Sequence, residues 1–144
     1  MGFKAFATTA VVGSALVLAT AATAAVINGT PGDDLLRGTV LADEIHGFAG
    51  NDSILARDGD DVVRAGAGND AVRAGDGTDL VYGGRGSDAM SGGNGSDRLY
   101  GGSNDDTVSG GDRSDRVAGN KGDDQVSGGN GSDSLFGGWG ADVV

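Results

Sequence analysis

Residues 92–100 read Gly92-Gly93-Asn94-Gly95-Ser96-Asp97-Arg98-Leu99-Tyr100. With Gly92 as position one, the unit is Gly-Gly-x-Gly-x-Asp-x-aliphatic-x. Outward from this stretch the aspartate returns at every ninth position without insertion or deletion. The column runs Asp34, Asp43, Asp52, Asp61, Asp70, Asp79, Asp88, Asp97, Asp106, Asp115, Asp124, Asp133, Asp142. Two positions after each stands an aliphatic side chain: Leu36, Ile45, Ile54, Val63, Val72, Val81, Met90, Leu99, Val108, Val117, Val126, Leu135 and Val144. Thirteen coincidences in each column exclude an accident of composition. The chain is a solenoid of one supersecondary unit, and each unit carries a potential metal ligand.

Positions one to six read as a tight turn, where glycine permits positive φ and close backbone approach. Positions seven to nine read as a short strand whose middle side chain points inward. Two such strands per coil, on opposite walls, make an 18-residue turn of a flattened parallel solenoid. The core is thin, with one aliphatic side chain per repeat.

The 144 residues include 30 glycines, one proline and no cysteine. Residues 1–25 differ in kind: Lys4 is their only charge, an apolar stretch runs from Ala5 to Ala19, and Ala22-Thr23-Ala24 offers small residues to a peptidase. That is the layout of a secretory signal peptide cut after Ala24 or Ala25. Residues 26–144 then form the mature, extracellular β-roll domain, with its repeats starting at Gly29. The stretch is too short and too polar to span a membrane stably, and without cysteine no thioether lipid anchor forms. All 21 acidic residues follow the signal, against nine basic ones, so the mature charge is 9 − 21, or −12. Such a chain avoids nucleic acid and anionic membrane and attracts cations.

Aspartates two repeats apart stack on one edge, and their carboxylates form a column that repels itself unless a cation lies between successive loops. Glycine turns expose carbonyls for the remaining coordination places. An all-oxygen, flexible set suits calcium better than magnesium, and one histidine without cysteine disfavours zinc. Turn chemistry alone puts aspartate near glycine. It does not explain why position six is never Asn or Ser, while position five carries Asp, Asn, Ser or Thr in eleven copies.

From Gly29 to Val144 the unit resembles the nonapeptide of the repeats-in-toxin, or hemolysin-type calcium-binding, family. The resemblance implies an all-β, parallel, right-handed β-roll, two repeats per turn, with calcium inside the turns on both edges. It implies that the ligands are Asp34, Asp52, Asp61, Asp70, Asp79, Asp88, Asp97, Asp106, Asp124 and Asp133 with main-chain carbonyls. Positions two and four of one loop supply Gly66 and Gly68, Gly75 and Gly77, Gly84 and Gly86, or Gly93 and Gly95. Positions one and three of the loop two repeats on supply Gly92 and Asn94, or Gly101 and Ser103. One site then pairs Gly84, Gly86 and Asp88 with Gly101, Ser103 and Asp106. The two columns have six and five gaps, so at most eleven ions fit. The loops of Asp43, which lacks two glycines, and Asp115, with Arg113 at position four, depart from the pattern.

An enzyme reading finds no place outside the repeats. His46 ends a strand in a degenerate copy, and Asp60-Asp61 and Asp105-Asp106 recur as positions five and six of the turn. On the wall of alternate copies, position nine reads His46, Arg64, Tyr82, Tyr100, Ala118, Phe136, with Arg98 and Arg116 beside it at position seven. Such a stripe stabilises a thin sheet as a cross-strand ladder. It also suits an extracellular polysaccharide or self-association, which makes an adhesive or assembling protein the alternative reading.

Overall fold

The computed structural model describes residues 16–18 and 23–144; the remainder of the expected signal peptide lies outside the described residues. Fourteen strands follow in chain order, with no helix among the described residues. They are β1 (Leu16–Leu18), β2 (Val26–Asn28), β3 (Leu35–Arg37), β4 (Glu44–Ala49), β5 (Ser53–Asp58), β6 (Val62–Ala67) and β7 (Ala71–Asp76). The rest are β8 (Leu80–Arg85), β9 (Ala89–Asn94), β10 (Arg98–Ser103), β11 (Thr107–Asp112), β12 (Arg116–Lys121), β13 (Gln125–Asn130) and β14 (Ser134–Trp139).

Odd strands form one seven-stranded sheet and even strands the other, each in unbroken sequential order and parallel throughout. From β2 onward partners lie two repeats apart, as in Leu99 between Val81 and Val117. The fold is an all-β parallel solenoid of about six turns, consistent with a β-roll.

The aliphatic column fills the space between the walls: Leu36, Ile45, Val63, Val81, Leu99 and Val117 have no exposed surface. Position one adds a second inward column, in which Ala56, Ala65 and Ala74 are fully buried.

From β4 on, the strands run twice the expected length, over positions seven to nine and on through one to three of the next repeat. Positions one to three continue the strand because the same positions of neighbouring coils stay in register, as in Gly102↔Gly84 and Ser103↔Arg85. The turn proper is therefore only positions four to six. A parallel ladder satisfies the main chain on both sides, and that outweighs the poor strand propensity of glycine.

Candidate metal centre

Every turn presents its position-six aspartate inward. From Asp34 to Asp124 these eleven side chains are at most 4% exposed, and Asp133 and Asp142 are half-buried near the end of the stack. One oxygen of each carboxylate has a fixed duty. The Oδ1 atoms of Asp52, Asp61, Asp70, Asp79 and Asp88 accept the main-chain N–H of the aspartate two repeats earlier, at 2.7–2.9 Å. The ladder continues through Asp97, Asp106, Asp115, Asp124, Asp133 and Asp142.

The second oxygen separates two kinds of loop. In nine of them, Asp52, Asp61, Asp70, Asp79, Asp88, Asp97, Asp106, Asp115 and Asp124, Oδ2 is buried without a hydrogen-bond partner. A buried carboxylate oxygen left in that state is costly. In the first two loops a threonine at position two serves the carboxylate. Thr39 donates its N–H to Asp43 Oδ2 at 2.6 Å, and its hydroxyl lies 3.0 Å from both carboxylate oxygens. Thr30 contacts Asp34 in the same manner, through its N–H and its hydroxyl.

Backbone conformation divides at the same point. Every loop from that of Asp52 onward has left-handed residues at positions two and four, including Phe48, Arg57, Asn104, Arg113 and Asn120 among the non-glycines. The loops of Asp34 and Asp43 have none. Left-handed backbone on arginine or phenylalanine is unfavourable. Its persistence at positions 48, 57 and 113 shows that the coil geometry requires it there.

Asp34, grouped with the ligands by its sequence, thus shares the geometry of Asp43. Asp115, set apart by Arg113, shares the geometry of its neighbours. Gly84, Gly86 and Asp88 occupy one loop, with Gly101, Ser103 and Asp106 directly above in register. A β-carbon placed on Gly83 would meet both Asp88 Oδ2 and the carbonyl oxygen of Gly101. The orphaned oxygen and the position-one carbonyl of the next coil therefore border one volume. Gly92 opens the same volume beside Asp97 Oδ2 and Gly110, and Gly101 beside Asp106 Oδ2 and Gly119. At Ala56, Ala65 and Ala74 a methyl group stands at that position.

Among the described residues no three His, Cys, Asp or Glu side chains converge. The donors are carboxylate oxygens with main-chain carbonyls, the hard all-oxygen set that calcium takes. Burial, opposed in part by the amide bond, pushes the carboxyls of Asp52, Asp79 and Asp88 up to about 6. Burial likewise pushes Asp61 and Asp106 up to about 7, helped by like charges along the column.

The model of the RTX calcium-binding nonapeptide repeat matches four times, over residues 28–63, 55–90, 82–112 and 109–144. The chain belongs to this family. No curated protein matches it significantly. As an RTX repeat protein it is a calcium-binding β-roll, a structural fold whose orphaned oxygens fit the ion.

Two further features escaped the sequence reading. Thr30 and Thr39 look like ordinary turn residues until their hydroxyls are seen on the carboxylates; a threonine four positions before the aspartate was the available signal. Position five also acts between coils: Asp33 Oδ1 accepts the N–H of Asn51, and Asn51 Oδ1 that of Asn69. This outer ladder runs opposite in direction to the inner one.

Proposed function

We propose that the protein is exported and that its turns close only when calcium enters them. The observation that carries this reading is the row of nine buried, unpartnered carboxylate oxygens. Of the eleven gaps in the two columns, two start from threonine-served loops, which leaves nine for calcium. Each ion neutralises charge that the thin core cannot tolerate alone, so binding energy is folding energy. Extracellular calcium modules bind at about 10⁻⁴–10⁻³ M, so the chain stays open for export through its N-terminal signal peptide, cut after Ala24 or Ala25, and folds outside. Circular dichroism of the mature chain, titrated with calcium and then chelator, tests it. A spectrum that responds to neither sinks the proposal.

A second reading, an assembling or adhesive protein, draws on the charge distribution. Outside the aspartate column the mature chain has eight acidic residues against nine basic ones. The even sheet carries Arg64, Arg85, Arg98, Arg116 and Lys121 against Glu44 alone. Tyr82 and Tyr100 stack there at 5.3 Å, and Arg116 lies over Phe136. The odd sheet sets Arg37, Arg57 and Arg73 against Asp58, Asp76 and Asp112, so its charges balance. Once calcium more than offsets the thirteen carboxylates of the column, the even wall stands out as basic and aromatic. Such a wall suits an anionic polysaccharide, or the acidic position-five turns of a second copy. Sedimentation in millimolar calcium, with and without such a glycan, decides it. One monomeric species under all conditions removes this reading.

A further inference from the structure

We propose that Asp43 receives the N-terminal ammonium of the mature chain, which fixes processing at the Ala24–Ala25 bond. The proposal rests on the export reading above. The inner ladder follows one rule: the N–H donated to each aspartate Oδ1 belongs to the aspartate two repeats earlier. For Asp43 that place is held by Ala25, whose N–H reaches Asp43 Oδ1 at 2.7 Å. The carbonyl of Ala25 accepts from Glu44 N at 2.9 Å, so the residue is held on both sides.

Asp43 is 3% exposed. Its other donors, the N–H and hydroxyl of Thr39, are neutral. They satisfy its oxygens but leave its charge uncompensated in the interior, where charge is costly. Position two of this loop also lacks the left-handed backbone of the nine loops assigned to calcium.

Hydrolysis of the Ala24–Ala25 bond adds water across the amide. The carboxylate stays on Ala24, and the amine, protonated at neutral pH, stays on Ala25. The nitrogen already lies against Asp43, so cleavage turns an amide donor into a cation without moving it. The first coil then closes with an ammonium where later coils use calcium. Cleavage one residue later would remove this donor and put the charge on Val26, the first residue of β2. Removal of residues 1–24 also takes away β1 and leaves β3 as the first strand of its sheet.

The test has two arms. Intact mass and N-terminal sequencing of the exported protein should show Ala25 first. A start at Val26, or an exported chain that is never cut, overturns the inference alone, whereas a chain retained inside the cell overturns the export reading. Separately, the chain beginning at Ala25 is N-acetylated, which removes the charge but keeps an N–H. In saturating calcium, acetylation should lower the melting midpoint by about 4 °C, and Asp43→Asn should abolish that difference. An equal drop in both backgrounds, or none in either, overturns the ion pair.

Discussion

At the scale of single residues, the same aspartate serves two purposes depending on what stands four positions before it. With threonine there, as in the loops of Asp34 and Asp43, the carboxylate is served by its own loop. With left-handed backbone there, the position-two N–H and side chain leave Oδ2 alone, and it faces the next coil. Asp88→Ala should therefore lower calcium stoichiometry and raise the calcium concentration needed for folding, because Asp88 borders the gaps below and above it. Asp43→Ala should leave the stoichiometry of the remaining loops intact while costing about 1–3 kcal/mol through the hydrogen bonds of Thr39. Equilibrium dialysis against radiolabelled calcium, beside denaturant melts, separates the two effects. Equal losses of bound calcium would show that the threonine loop holds an ion like the others.

At the scale of the strand, the decisive position is two, where the chain must pass through left-handed backbone without leaving the ladder. Gly102 does so at φ 126°, and a β-carbon there would run into the carbonyl of Gly84 one coil below. Gly102→Ala should cost about 1–3 kcal/mol. Arg57 holds the same conformation at φ 95° with a side chain attached. Arg57→Gly should accordingly stabilise the calcium-loaded protein by about 1 kcal/mol; a destabilised variant in thermal melts would mean that the Arg57 side chain makes a compensating contact. Periodicity alone disclosed the coil length, the register and the inward column from Leu36 to Val126, since side chains two repeats apart must stack. It missed the second half of each strand. Gly-Gly reads as a turn in isolation, and only the neighbouring coil, with Gly84 and Arg85 lying against Gly102 and Ser103, turns it into sheet. For the same reason the inward, buried Asp column was legible, whereas the threonine caps and the outer Asp33–Asn51–Asn69 ladder were not. They depend on which hydroxyl or amide faces which oxygen, and spacing does not encode that.

At the scale of the whole molecule, burial shifts nine aspartates of the column in one direction, so protons should compete with calcium for them. Burial raises Asp52, Asp79 and Asp88 to about 6 and Asp61 and Asp106 to about 7, from 3.8 in the unfolded chain. Asp70, Asp97, Asp115 and Asp124 shift the same way, again through burial first. Between the unfolded value and these raised ones, the metal-free fold binds more protons than the unfolded chain does. Its stability is therefore highest below the unfolded value and falls as pH rises through about 6 to 7. Protons can stand in for the ion, and the chelated protein should gain β-structure on acidification. Calcium has to displace those same protons, so its binding should release protons and weaken as pH drops from about 8 to about 5.5. Calcium titrations followed by circular dichroism at several pH values, with proton release measured in weak buffer, check both halves. A folding midpoint in calcium that does not move over that range would mean that the carboxylates are already ionised in the metal-free fold. The orphaned Oδ2 atoms would then be satisfied by something other than the exchange of protons for calcium.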